Sequence, residues 1–200
     1  MRDKKLNPLC LEGKTVVLKE VEPKYFPYII EWRNNKEFTR FLNQPFTLTM
    51  ENETHWYQNV YLKDPTQGLL LMTDKNDGTP FGTLGWTDLD LEKRRYISGR
   101  LLVGNLKYRG SVPMMESFFV MGDYLWQFAD VSYAHVVIEN RKVISLNKRT
   151  GHFVNKGEIQ FPKELFVNGM HQVELMRTRD SYHQAKAKMA RWYPDIFKAD

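Results

Sequence analysis

Apolar and polar positions along the chain change period twice, and the changes mark its elements. Lys14 to Val21 (KTVVLKEV) sets β-branched and apolar residues between charged ends after a Glu12-Gly13 turn, which predicts a strand. Helical spacing follows: Pro23 opens a helix in which Tyr28, Ile29, Ile30 and Trp32 keep an apolar face up to the Asn34-Asn35 break. A short helix over Phe38 to Leu42 comes next. Thr47 to Lys63 starts with hydroxyl and acidic residues and then carries Trp56, Val60 and Tyr61 at helical spacing.

The middle turns to short runs, Gly68 to Thr73, Phe81 to Leu89 and Tyr96 to Val103, separated by NDG and EKRR turns, which predicts an antiparallel meander. A loop, Gly104 to Gly110, leads into a long apolar helix from near Pro113 through Phe118, Phe119, Met121, Leu125, Trp126 and Phe128. Ser132 to Glu139 returns to strand, and a short helix over Val143 to Arg149 stops at Gly151, a C-cap. Two strands, Lys156 to Phe166 and Val173 to Arg179, flank the Asn168-Gly169 turn, and a basic helix over Tyr182 to Trp192 closes the chain. With no repeat, low-complexity segment or linker, residues 1–200 read as one α/β (α+β) domain. Its sheet is mixed, mostly antiparallel and twisted, with about seven strands flanked by helices.

Composition narrows the function. The formal charge of +5 is spread rather than blocked, which fits a solvated basic surface or a polyanionic small ligand. No basic stripe with interleaved aromatics points to nucleic acid. Cys10 stands alone, which excludes an intrachain disulfide and a cysteine-built zinc site and suits a reducing cytoplasm; no metal is expected. The start, MRDKKLNPL, lacks the apolar core of a signal peptide, and no run reaches the length of a membrane span. The expectation is a soluble cytoplasmic protein with no membrane partner.

Two stretches carry chemistry. The first is strand, glycine loop and helix: RLLV, GNLKYRGSVP, MMESFFVMGDYLW. A helix N-terminus offers unpaired N–H groups and partial positive charge, a loop bending into it aims further amides at phosphate, and Lys107 and Arg109 add charge. Taken locally, Gly110 is equally a plain turn and Pro113 a plain helix start. The second is Asn140 to Phe153, which follows a strand directly; an asparagine there is either a ligand contact or a helix cap.

In this order and separation the two stretches resemble the GNAT superfamily of acyl-CoA-dependent N-acyltransferases, over nearly the whole chain. In that family a strand leads into a Q/R-x-x-G-x-G/A loop and a helix that grip the coenzyme's pyrophosphate, matched here by Lys107, Tyr108, Arg109, Gly110, Ser111 and Val112. A later strand ending in Asn, a short helix and Gly-Phe are matched by Asn140 through Gly151, with His152 before Phe153. The resemblance implies a sheet splayed between its fourth and fifth strands. It also implies an acyl-CoA site, for an acetyl or longer short-chain acyl group, formed by Leu101, Leu102, Val103, the 107–112 loop, Pro113, Met114, Asn140, Val143, Asn147 and Lys148. Val112 and Pro113 stand where the family prefers a second Gly or Ala, so the loop is bulkier and one N–H is missing. Asn147 stands where many relatives carry a tyrosine that protonates the departing thiolate, leaving Tyr124, Ser145 or water for that task.

Trp32-Arg33-Asn34, Arg40 and His55-Trp56 resemble the branch that acylates amino groups of nucleotide-linked sugars, which is close to the ribosomal-protein N-terminal acetyltransferases. The acceptor residues so implied are Arg33, Asn34, Arg40, His55, Trp56 and Trp86, with arginines pairing with a diphosphate and Trp56 or Tyr57 stacking. The amine must lose a proton before it attacks, and the candidate bases are Glu139, His135, Asp88 and Asp90. The resemblance places an oxyanion donor on the backbone near Leu102. The acceptor is then a dTDP- or UDP-linked amino sugar. The alternatives are a peptide N-terminus and a coenzyme A-binding module without catalysis. The carboxyl-terminal strands suit a homodimer.

Overall fold

Burial alternates along Val16–Glu20, with Val16, Leu18 and Glu20 inward, which is how KTVVLKEV makes its strand, β2. The computed structural model describes residues 4–42, 44, 46–160 and 171–197. Cys10–Glu12 forms β1 against β2, a strand too short to show a period in the sequence. The meander is β3 (Gly68–Asp74), β4 (Pro80–Asp90) and β5 (Arg95–Val103), followed by β6 (Val131–Val137), β7 (Phe153–Gln160) and β8 (His171–Thr178). They make one eight-stranded sheet in the order β1-β2-β3-β4-β5-β6-β8-β7, so β1 adds a strand to the expected seven.

Every neighbouring pair is antiparallel except β5 and β6. These run parallel and pair only through Arg95, Tyr96 and Ile97 opposite Val131, Ser132 and Tyr133. Beyond that point β5 runs on to Val103 and β6 to Val137 without pairing with each other, so the sheet is splayed there. These are the fourth and fifth strands of the sequence pattern.

Helices cover both faces. α1 (Phe26–Asn34), α2 (Lys36–Thr39) and α3 (Met50–Trp56) precede the meander, and Phe26, Ile29, Trp32, Tyr57 and Tyr61 pack on Leu69, Leu71 and Leu102. Alternate residues of the same strands, Leu70, Met72, Leu84 and Trp86, face α4 (Val112–Leu125), α6 (Arg179–Trp192) and α7 (Pro194–Phe197). α5 (Arg141–Arg149) lays Val143 and Ile144 on Ala134 and Val136.

The boundaries depart from the pattern in several places, the short helix α2 for one spanning Lys36–Thr39 rather than Phe38 to Leu42. α3 gives way to a π turn over Tyr57–Tyr61, which brings the Tyr61 hydroxyl to Glu20 at 2.6 Å. β6 ends at Val137, where Asn140 N–H closes a turn on the Val137 carbonyl, so Glu139 is off the strand. β7 begins at Phe153 rather than Lys156, while the expected end at Phe166 and the Asn168-Gly169 turn lie outside the described residues. α6 begins at Arg179, because Thr178 and Ser181 form a capping box ahead of Tyr182. Among the described residues no helix is long and apolar enough to cross a membrane, and no three His, Cys, Asp or Glu side chains gather as a metal site.

Candidate active site

At the splay, β5 carries a bulge: Thr83 pairs with Leu102 but Gly85 with Gly99, so the β5 side holds an extra residue. Arg100 takes it up with φ of 55°, and its carbonyl accepts the Thr83 hydroxyl at 2.9 Å. A bulge leaves ladder groups unpaired, and this one sits just ahead of Leu101, Leu102 and Val103 on the open stretch.

The chain then turns at Gly104 against α1. A β-carbon on Gly104 would lie within 2.1–2.4 Å of the Trp32 ring, so the loop and α1 need glycine to touch here. Asn105 caps a short 3-10 turn over Leu106–Tyr108, its side chain accepting the Lys107 amide. Gly110 holds φ of 75° and sends the chain into α4, where Ser111 is the N-cap. The amides of Tyr108, Arg109 and Ser111 are used within the loop. Those of Gly110 and Val112 find no protein acceptor among the described residues. Two free amides and the N-terminus of a helix 14 residues long thus meet beside the exposed Lys107 and Arg109. This donor set suits a diphosphate, and Pro113 takes a first-turn position where a missing N–H costs nothing.

Other predicted coenzyme contacts have structural work. Tyr108 is buried, stacks on Phe81 at 4.4 Å and gives its hydroxyl to Asp74 at 2.8 Å; burial and Asp74 push that hydroxyl up to about 12. Its side chain anchors the loop, so only its backbone faces outward. Met114 lies in the core under α4. Asn140 caps α5 through the Val143 amide at 3.4 Å, while buried Asn147 bonds the Val143 carbonyl at 2.9 Å. Lys148 is exposed and lines a cleft of about 520 Å³ between α5 and α6 together with Arg149, Lys188 and Trp192.

The candidate bases separate clearly. Asp88 and Asp90 stand at the end of β4 where β5 and β6 are still paired, away from the splay; Asp88 is exposed, and Asp90 closes the turn to β5 by accepting the Glu92 and Lys93 amides. Glu139 is exposed in the turn after β6. Asp88 and Asp90 thus belong to the far end of β4, and Glu139 to a turn. His135 lies on the β6 stretch beyond the last β5 pair, with Nε2 3.0 Å from Glu174. Burial raises Glu174, yet hydrogen bonds from His135 and Asn155 bring it below the usual carboxylate range.

On the acceptor side, Arg33 donates from Nε to Gln44 at 2.7 Å, and Asn34 clamps the Leu48 backbone with two bonds of 2.8 Å. Both hold the segment between α1 and α3. Arg40 is exposed over the Phe41 ring, and exposed His55 meets Asn59. Trp56 lies 5.4 Å from the Arg100 guanidinium. Trp86 is core: it is 3 % exposed, sits under α4 beside Tyr124, and occupies the face opposite α1 and α3. Tyr124 is thereby committed to packing, and Ser145 is exposed on α5.

Two residues join the site that the sequence reading left out. Arg100, half-buried, donates to Gln67 and faces Trp56. Glu53 of α3 is 1 % exposed, and its Oε1 has no hydrogen-bond partner. Burial raises Glu53, with Arg33 and Arg100 pulling the other way, and burial lowers both guanidinium groups. An arginine beside Gly99 inside the apolar run YISGRLLV is a legible signal; an acid in the first turn of a helix is not.

A sheet splayed after one short parallel pair, with a bulged strand feeding an amide-bearing loop and helix, is the architecture of the GNAT acetyltransferases, and this chain has that fold. No family model matches the sequence, and no curated protein does. Among solved structures, the chain is similar to apo FdhC, a nucleotide-linked sugar GNAT, at 18% identity and TM-score 0.70, covering 92% of this chain and 98% of that one. It is similar to spermidine N-acetyltransferase from Vibrio cholerae in complex with CoA and spermine, at 14% identity and TM-score 0.71, covering 85% and 99%. It is also similar to RimL, the ribosomal L7/L12 α-N-protein acetyltransferase, at 14% identity and TM-score 0.70, covering 86% and 94%.

Proposed function

We propose that this protein transfers an acyl group from acyl-CoA to a primary amine. The observation that carries the reading is the conjunction at the splay: free Gly110 and Val112 amides, the α4 N-terminus, and Lys107 and Arg109 beside them. In this reading the loop holds the pyrophosphate. The open stretch of β5 at Leu101, Leu102 and Val103 receives the pantetheine arm, and a backbone amide near Leu102 donates to the oxyanion. Val143 and Lys148 border the same arm from α5.

The acceptor is the amino group of a nucleotide-linked sugar. Arg33, Arg40 and Arg100 on the α1 and α3 side suit a diphosphate and work against a polyamine, whose several positive charges they would repel. A peptide N-terminus is the second reading, favoured by the single buried carboxylate of Glu53 among those arginines.

Titration calorimetry with acetyl-CoA and longer acyl-CoA thioesters tests the coenzyme site. Arg109→Glu with Gly110→Asp is expected to weaken binding at least about tenfold, or about 1.4 kcal/mol. The fold should survive, since Arg109 is exposed, a β-carbon at Gly110 meets nothing within 4 Å, and a non-glycine residue at its φ of 75° costs about 1–2 kcal/mol. Unchanged affinity places the coenzyme elsewhere, and absence of binding by the unaltered protein overturns the reading.

A further inference from the structure

Glu53 is a buried charge whose place in the core the fold does not explain. It is 1 % exposed, it packs one helical turn ahead of Trp56 and Tyr57, and Oε1 is unbonded. The nearby arginines do not close on it: the Arg33 Nε donates to Gln44, and the Arg100 Nη2 to Gln67. A carboxylate buried without a bonded partner is costly, and such a cost is retained where the group has work to do. Its place adds to this. Trp56, one turn further along α3, lies 5.4 Å from the guanidinium of Arg100, the bulge residue of β5, so the helix that carries Glu53 stands beside the strand stretch where the sheet opens.

We infer that Glu53 is the proton acceptor for the substrate amine. The inference rests on the acyl-transfer reading. An ammonium group passes one proton to the Glu53 carboxylate and becomes the free amine, which forms its C–N bond to the thioester carbonyl carbon. When the tetrahedral adduct collapses, the C–S bond breaks, the second nitrogen proton goes to the thiolate, and amide and free thiol result. Glu53 then releases its proton to solvent, so the turnover yields one proton overall.

Burial raises Glu53, and the facing cations, Arg33 from α1 and Arg100 from β5, oppose that rise. Tyr61 and Asp64 face Arg100, and His55 and Glu51 on the same helix lie exposed. His135, by contrast, already has Nε2 on Glu174.

The test is Glu53→Gln, with Glu53→Asp beside it, measured as kcat/KM against pH. Coenzyme binding by calorimetry and Tm are taken on the same samples. The expected result is a loss of about 10²–10⁴-fold in the Gln variant. The acid limb of the profile should vanish, Asp should restore part of the rate, coenzyme affinity should hold, and Tm should stay level or rise because an unpaired buried charge is gone. A Gln variant within twofold of the parent with the same acid limb overturns the assignment alone, as does a rate loss matched by a fall in Tm and in coenzyme affinity. An unaltered protein that binds acyl-CoA but acylates no amine overturns the acyl-transfer reading and this assignment with it.

Discussion

Gly104 has no room for a methyl group, because the Trp32 ring fills the place a β-carbon would take. Gly104→Ala must therefore push the loop off α1. Overpacking of this kind costs about 1–3 kcal/mol, and coenzyme affinity is expected to fall by tenfold or more in calorimetry. His152 offers a second residue-scale prediction. Burial, with Arg177 nearby, holds its imidazole well below the usual histidine pKa, while the unfolded chain takes up a proton near pH 6.5. The unfolded state thus binds more protons below that pH, so stability falls as pH drops from about 6.5 toward 5, by at most about 1.4 kcal/mol per unit. Urea titrations of the unaltered protein and of His152→Gln should differ in this slope; equal slopes contradict the assignment. Trp32 and Trp86 show why single residues were hard to read. An aromatic at helical or strand spacing looks the same whether it lines a cleft or fills the core, and both proved to be core.

At the scale of elements, α4 is held by an acid one turn after its N-terminus. Glu116, 3 % exposed, accepts the Lys14 and Thr15 amides and the Thr15 hydroxyl, and so ties α4 to the turn before β2. Glu116→Ala leaves those donors unpaired and is expected to cost about 3 kcal/mol in denaturant unfolding. Elements with a long, consistent pattern were legible: the meander, α4, and the strand followed by α5. Those set by tertiary contact were not. β1 exists because Cys10–Glu12 finds the free edge of β2, and the π turn exists because Tyr61 is drawn to Glu20. The end of β6 at Val137, which removed Glu139 from the strand, is a turn bond that no periodicity records.

At the scale of the whole molecule, the opening between β5 and β6 follows from the order of elements, so the strand, loop and helix proposed to hold the coenzyme were readable from sequence. The acceptor side was not. Arg33, Glu53 and Arg100 come from α1, α3 and β5, and their charges meet only when both helices pack on the strand that bulges. If the proposed anionic acceptor binds among these arginines, added salt, by screening them, should raise KM for a nucleotide-linked amino sugar.

The measurement that bears most directly on the central claim is thiol release from acetyl-CoA and longer acyl-CoA thioesters, run against dTDP- and UDP-linked amino sugars, polyamines and N-terminal peptides. The account predicts release that depends on an amine, strongest with an amino sugar and absent with a polyamine. Release with peptides alone would move the acceptor to a protein N-terminus. No amine-dependent release from protein that binds the coenzyme would contradict the account.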